Sequence, residues 1–287
     1  MAATERDLAG ALADAVKRLR AAGVPTPRVD AELLAAHAAG VGRGRLQALA
    51  LAGAPEPEGF AGLVAERCAR VPLQHLTGTA YFRHLELAVG PGVFVPRPET
   101  EEVARLAIEA ALERRAPGGV VRVVDLGTGS GALAAAVASE VDGAEVHAVE
   151  LSPLALAWAE RNLAPHGVHL VQGDLRTAFE ELDGTVDVVV SNPPYIPAGA
   201  VPVDPEVRDH DPELALYGGG ASGLELPAAV ERSAARLLRP GGYVVMEHAE
   251  VQDLSARALF EDAGCWESVL GHRDLAGRAR ATSAVLR

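Results

Sequence analysis

The sequence predicts an α/β protein: a mostly parallel, seven-stranded sheet with helices on both faces, preceded by a small all-helical domain. Three observations carry that expectation. After Gly118-Gly119 the chain alternates short apolar runs with helical stretches, the pattern of strand and crossover helix. Before residue 78 only the helical period appears. The 287 residues, 49% hydrophobic and 23% charged, suffice for two compact domains at roughly 150 residues each and leave disordered, collagen-like and coiled-coil chains as poor fits.

Residues 1–78 form the helical domain. Leu8, Leu12, Val16 and Leu19 line one face, and Phe60, Leu63, Val64, Arg67 and Cys68 recur at helical spacing. Breaks at Gly23 to Pro27, Gly40 to Gly44 and Gly53 to Gly59 cut this part into four short helices. Residues 79–97 read as a β-hairpin linker, with Leu85 to Val89 and Val93 to Val95 as its strands and Gly90-Pro-Gly92 as its turn. The second domain, 98–287, opens on a helix. Pro98 suits its first turn, Glu99, Glu101 and Glu102 complement its dipole, and Val103, Leu106, Ala107, Ala110 and Ala111 form its buried face.

Strands are then expected at Val120 to Val124, Glu145 to Val149, Val168 to Val171, Val186 to Val190 and Tyr243 to Met246. Helices fall at Gly131 to Ala138, Pro153 to Leu163, Pro227 to Leu238 and Val251 to Ala263. Two terminal runs, Trp266 to Leu270 and Thr282 to Leu286, follow the last helix without another between them, so they form an antiparallel pair at one side of the sheet.

Charge and composition exclude several functions. The net charge of −13 repels phosphate backbones, so direct nucleic-acid binding is not expected. Cys68 and Cys265 are too few and too far apart for a disulfide framework or a cysteine zinc site. Met1-Ala-Ala-Thr-Glu-Arg-Asp7 puts charges where an export leader would be apolar, and no uncharged run approaches the ~18 residues of a membrane span. The expectation is a cytoplasmic monomer with no membrane contact.

The chemistry lies at strand ends. Asp125-Leu-Gly-Thr-Gly-Ser-Gly131 follows a buried strand and opens a helix, so Gly127, Thr128, Gly129, Ser130 and Gly131 can turn tightly and let a ligand approach the backbone. Gly127, Gly129 and Ala132 also fit a loose dinucleotide fingerprint, and Glu150 follows Gly127 by 23 residues, so the loop alone leaves the ligand open. Glu150 ends the second strand and can accept both hydroxyl hydrogens of a ribose diol. Asp174 and Leu175, after the third strand, can offer a carboxylate to an adenine amino group and a wall to its ring.

Ser191-Asn-Pro-Pro-Tyr-Ile196, directly after the fourth strand, decides between the readings. Pro193 and Pro194 fix two φ angles and hold Asn192 outward at the carboxyl edge of the sheet. An amide or aromatic amino nitrogen is a poor nucleophile because its lone pair is delocalised. A methyl-transfer enzyme must therefore hold it in line with the methyl donor. The Asn192 side-chain oxygen and the Pro193 carbonyl can accept its two hydrogens, while Tyr195 packs on the planar group. No strong base is needed.

The order of Asp125 to Gly131, Glu150 and Asn192 to Tyr195 resembles the class I S-adenosylmethionine-dependent methyltransferases that act on amide or exocyclic amino nitrogen. Further motifs are similar to those of the release factor glutamine methyltransferases: Pro72-Leu-Gln-His-Leu-Thr-Gly78, Phe94-Val-Pro-Arg-Pro-Glu-Thr-Glu101, Leu216-Tyr-Gly-Gly-Gly220 with Gly223-Leu224, Glu247-His248 with Gln252, and Asp274-Leu-Ala-Gly-Arg278. The resemblance runs from about residue 10 to the C-terminus. It implies a Rossmann-like sheet, S-adenosylmethionine as cofactor without a metal, and methylation of the Gly-Gly-Gln glutamine of peptide chain release factors, with the helical domain helping to hold the protein substrate. It also implies that Gly127 to Gly131, Glu150, Leu175 and Asn192 contact the cofactor and Asn192 to Tyr195 grip the glutamine. Asp211-Pro212 stands where many members carry Glu-Pro, and Ala249 where Gly is common.

Other residues divide between site and scaffold. Arg97, held between two prolines, is a candidate for the substrate loop or the cofactor carboxylate. His166 and His169 lack the further ligands a metal needs. Glu247 and His248 end the fifth strand, where shaping the pocket fits better than acid-base work, and Gly218 to Gly223 forms either a lid or a plain loop. An adenine-N6 DNA methyltransferase would share the Asn-Pro-Pro-Tyr clamp, but it needs basic contacts to phosphates. A regulator that binds nucleotide without turnover leaves the clamp unused, as does a dinucleotide oxidoreductase.

Overall fold

The computed structural model describes residues 6–116 and 118–287, so all but the last two residues of the stretch read for an export leader lie outside the described residues. The chain divides into two compact units, 1–79 with 202–210, and 80–201 with 211–287. The first is helical: α1 (Leu8–Ala21), α2 (Pro27–Ala38), α3 (Arg43–Leu51), α4 (Phe60–Cys68) and α5 (Leu73–Thr77). Five helices stand where the sequence suggested four, because Pro72 starts a last short turn. Asp7 caps α1 by accepting from Gly10 N at 2.8 Å, and Pro27 occupies the first turn of α2, where its missing N–H costs nothing. Leu8, Leu19, Leu34, Leu46 and Phe60 close the core of this unit.

Arg67 sits within the apolar stripe of α4 and is a buried cation. It donates to Asp30 Oδ2 at 2.7 Å and pairs with Glu206 at 2.7 Å. Glu206 belongs to a sixth helix of this unit, Pro205–His210 (α9 in chain order), and Arg70 pairs with the same carboxylate. These ion pairs explain why residues 202–210, which the sequence reading left within 98–287, cluster with the helices. The flanking cations hold the Glu206 carboxyl well below the usual range.

At the start of the second unit β1 (Thr79–Phe82, in that unit from Ala80 on) and β2 (Leu85–Ala88) form a two-stranded sheet. The hairpin therefore turns at Arg83-His84, with Arg83 at φ 54°, and not at Gly90 to Gly92. The correction has a packing cause: Val89, Val93 and Val95 serve a small core with Ala80 and Ala155, and Gly90 lies against the Trp158 ring.

The remaining elements are α6 (Thr100–Arg114), β3 (Arg122–Leu126), α7 (Ala132–Glu140), β4 (Glu145–Glu150), α8 (Pro153–Leu163), β5 (His169–Gln172), β6 (Val186–Ser191), α10 (Glu225–Leu237), β7 (Leu238–Glu247), α11 (Asp253–Ala263), β8 (Trp266–Arg273) and β9 (Ala279–Leu286). Seven strands lie in the order β5-β4-β3-β6-β7-β9-β8; the first five run parallel, and β9 enters antiparallel between β7 and β8. Successive residues serve opposite faces. Val123, Val188 and Val245 face the core beneath α6 and α7, whereas Val124, Val189 and Val244 face the core that holds residues of α10 and α11. Near-continuous valine runs are what a sheet covered on both sides requires. No helix among the described residues is long and apolar enough to cross a membrane.

Arg67→Met would strand Asp30 and part of Glu206 without a counter-charge in a site where all three side chains are at most 10% exposed. The expected cost is about 3 kcal/mol of unfolding free energy, read by urea denaturation, whereas the exposed Arg208→Met should leave the midpoint nearly unchanged.

Candidate active site

Two strands set the site. β3 and β6 are neighbours, with Asp125 opposite Val190, so the glycine loop and the Asn192 to Tyr195 clamp leave the sheet side by side. The Ser191 hydroxyl locks the junction by donating to Leu126 O at 2.6 Å.

Gly127, Gly129 and Gly131 have φ of 76°, 57° and 86°, a left-handed geometry that favours glycine at each alternate position. A Cβ on Gly131 would also strike Leu163 at 2.9 Å. Beneath the loop Asp125 is fully buried. Its Oδ2 accepts from Thr128 Oγ1 at 2.6 Å and from Ala134 N at 3.1 Å, tying the loop to α7, whereas Oδ1 has no hydrogen-bond partner among the described residues. Burial pushes this carboxyl up to about 7.

Glu150, at the end of β4, accepts from Gly129 N through Oε2 and from Ser152 N through Oε1, each at 2.8 Å. Each oxygen keeps a lone pair for a further donor. Burial raises its pKa and the two backbone bonds oppose the rise. Leu175 lies beside the loop, 3.9 Å from where a Gly127 Cβ would stand. Asp174 is more open and bonds Arg176 Nη1 at 2.8 Å. Ser130 is buried, and its carbonyl accepts from Asn162 Nδ2 at 2.9 Å.

The clamp is braced from behind. Gln252 donates to Tyr195 O and to Ser222 O, both at 2.9 Å, and accepts from Ala249 N at 3.0 Å. Ile196 and Ala198 donate to Leu216 O and Gly220 O, and Gly218 donates back to Ile196 O. Residues 218–223 are thus fastened to the clamp as a backrest. Gly218 is required there, since a Cβ would meet the Gly223 carbonyl and, at 2.6 Å, the Pro194 carbonyl.

Asn192 donates from Nδ2 to Thr100 Oγ1 at 3.3 Å. Tyr195 donates to Glu247 Oε1 at 3.4 Å, and burial beside that carboxylate keeps it a neutral phenol. Arg97, a candidate for the substrate, has its guanidinium on Asp211 Oδ2 at 2.7 Å and over the Phe94 ring at 4.9 Å. His169 lies edge-on to His147 at 5.2 Å between ring centres, and the described residues contain no cluster able to hold a metal.

Sequence reasoning gave no role to Thr100, Gln252 or Ser191. Thr100 and Gln252 stand within the quoted motifs, but only the fold brings α6 and the segment before α11 to the clamp.

A glycine loop and an Asn-Pro-Pro-Tyr clamp at the carboxyl edge of this sheet order define a class I methyltransferase. Comparison with known proteins narrows the class. Residues 10–78 match the PrmC N-terminal domain and residues 85–204 the methyltransferase small domain. The chain is 53% identical over 279 residues to the release factor glutamine methyltransferase of Streptomyces coelicolor, covering 95% of this chain and 96% of that one. It is 47% identical over 270 residues to the 4-amino-L-phenylalanine/4-methylamino-L-phenylalanine methyltransferase of Streptomyces pristinaespiralis, at 93% and 91% coverage. A solved methyltransferase from Pyrococcus furiosus shares the fold, with TM-score 0.50 and 21% identity over 71% of this chain and 89% of that one. The chain belongs to the release factor glutamine methyltransferase family.

Gly218→Ala should displace the clamp. Overpacking of this kind costs about 1–3 kcal/mol, and the melting temperature should fall with the transfer rate, while Gly44→Ala, with nothing within 4 Å of its Cβ, leaves both in place.

Proposed function

We propose that the chain transfers the methyl group of S-adenosylmethionine to the side-chain amide nitrogen of the Gly-Gly-Gln glutamine in peptide chain release factors. The observation that carries the reading is the junction of β3 and β6, which puts a ligand loop and a planar-group clamp on adjacent strand ends. The residues present suit the cofactor. Three left-handed glycines open the backbone, Glu150 keeps acceptor capacity for a ribose, Leu175 offers an apolar wall, and Asp125 holds beneath the loop a buried oxygen without a partner among the described residues.

When bound, S-adenosylmethionine supplies an electrophilic sulfonium methyl. The chain's part is alignment. Asn192 Oδ1 and the Pro193 carbonyl accept the two amide hydrogens, and Tyr195 covers the planar group, so the nitrogen lone pair points along one line. A nitrogen held on that line would take the methyl carbon as the carbon–sulfur bond broke, and would then lose a proton to water. That proton is acidic enough to need no positioned base.

The Streptomyces pristinaespiralis relative favours a second reading, an arylamine amino acid as substrate, because an aromatic amino group is also planar and carries two hydrogens. Protein methylation is preferred for the higher identity to the Streptomyces coelicolor relative and for the PrmC-type helical domain.

Mass spectrometry of a release factor after incubation with the protein and S-adenosylmethionine should show one added methyl on the loop glutamine. Methyl gain by 4-aminophenylalanine alone would favour the second reading. Asn192→Ala should lower kcat by about 10²–10³-fold with little change in cofactor Kd, since the bond acts in the transition state. Glu150→Ala should instead weaken the cofactor about 10- to 100-fold, read by calorimetry, through the lost charge-assisted bond and the loosened Gly129 amide.

A further inference from the structure

A carboxamide turned half a revolution about its last bond exchanges an acceptor for a donor at nearly constant shape. Gripping a planar –NH2 group requires that Asn192 present its oxygen. A chain of hydrogen bonds behind the residue controls that turn. Asn192 Nδ2 donates to Thr100 Oγ1 at 3.3 Å, the Thr100 hydroxyl donates to Glu247 Oε2 at 2.7 Å, and Tyr195 donates to Glu247 Oε1 at 3.4 Å. An ionised carboxylate only accepts. Once the Thr100 proton is committed to Glu247, the Thr100 oxygen remains as an acceptor, and Asn192 must offer it Nδ2 and turn Oδ1 the other way.

We infer that Thr100 and Glu247 are positioning residues that set the hydrogen-bond polarity of Asn192, and that the charge on Glu247 switches it. The inference rests on the reading of Asn192 as the acceptor of the substrate amide. When Glu247 takes a proton from solvent it becomes a donor to Thr100, and the Thr100 hydroxyl is released to donate toward Asn192. The carboxamide then turns and meets the substrate N–H groups with N–H groups of its own. No covalent bond other than the O–H of Glu247 changes.

Glu247 is 2% exposed. The groups that face it are Thr100 from α6, Glu99 just before that helix, Tyr195 from the clamp and Arg280 from β9. His248, next on the chain, is bonded instead to Ala249 O at 2.9 Å and Thr282 Oγ1 at 3.1 Å, and burial keeps it neutral. Burial is the largest influence on Glu247 and pushes its carboxyl up to about 7; the Thr100 bond and the Arg280 charge oppose the rise, and Glu99 adds to it. The switch therefore lies near neutral pH, with the productive polarity on the alkaline side.

Buried Thr100→Val keeps the shape and removes the hydroxyl, Thr100→Ser keeps the hydroxyl, and Glu247→Gln keeps the size and removes the charge. With a release factor and S-adenosylmethionine, wild-type kcat should rise with pH through about 7. Thr100→Val should lower kcat about 10- to 100-fold, the worth of one misdirected buried hydrogen bond, with cofactor Kd unchanged, and Thr100→Ser should recover most of the loss. Glu247→Gln should lower kcat and flatten the acid limb.

Stability separates this role from simple scaffolding. A carboxyl raised from 4.5 in the unfolded chain to about 7 in the fold stabilises fully below 4.5 and loses that contribution as pH rises through 7. Above pH 7 Glu247→Gln should therefore melt higher than wild type while turning over more slowly; scaffolding alone would lower both.

Wild-type kcat in Thr100→Val, or an acid limb that persists in Glu247→Gln, would overturn the inference. Absence of methyl transfer by the wild type would instead sink the release-factor reading. The relay is then decided without substrate, from the infrared band of protonated Glu247, identified by its loss in Glu247→Gln. Its titration midpoint should move upward in Thr100→Val, and an unmoved midpoint refutes the relay.

Discussion

The site depends on the pairing of β3 with β6. Parallel strands that are hydrogen-bonded neighbours end at the same edge, and whatever follows them in the chain shares that edge. Here Asp125 stands opposite Val190, and the Ser191 hydroxyl is spent on the last carbonyl of β3. The glycine turn and the stiff tetrapeptide are therefore placed by sheet register, the least deformable feature of the fold. Two prolines, the Gln252 amide and the backrest at Gly218 to Gly223 then remove the freedom left to the clamp. Alignment prepared in the fold does not have to be supplied again at each turnover.

The charges at this edge follow a common logic. Asp125, Glu150 and Glu247 lie at or near the carboxyl ends of β3, β4 and β7, all buried, and burial raises the pKa of each. Their ionised forms cost stability, and the backbone or hydroxyl donor that each holds opposes the rise. An acidic rim also suits a cofactor that arrives with a positive sulfonium and leaves with a neutral thioether. The same rim disfavours polyphosphate ligands and, with the net charge of −13, the flipped-base reading that otherwise shares the clamp.

Much of this was legible in the sequence because it depends on local spacing. Valine runs fixed the buried strands, Gly127 to Gly131 and Asn192 to Tyr195 marked two strand ends, and the lack of a helix between the last two strands foretold the antiparallel edge. What escaped is what only tertiary structure joins. Arg67 fits the helical spacing of its neighbours, but nothing local shows that Asp30 and Glu206 meet it, and the short helix at Pro205–His210 went unseen for the same reason. The hairpin was misplaced because Gly90-Pro-Gly92 has turn composition, whereas its glycines answer to Trp158 and Leu154. Thr100 lies 92 residues from Asn192, and no periodicity links them.

Substrate choice cannot reside in the clamp alone. In the role proposed for them, Asn192, Pro193 and Tyr195 would hold a flat nitrogen bearing two hydrogens, a description that a glutamine side chain and a primary arylamine satisfy equally. A relative 47% identical to this chain is named for an arylamine amino acid, while one 53% identical is named for a release factor glutamine. What separates them must lie where the two substrates differ, in everything beyond the planar group: a free amino acid ends within a few ångströms of its nitrogen, but a protein loop continues outward in both directions. Specificity for a protein therefore has to be built from surfaces that a small amine never reaches, leaving the clamp free to serve the chemistry common to both.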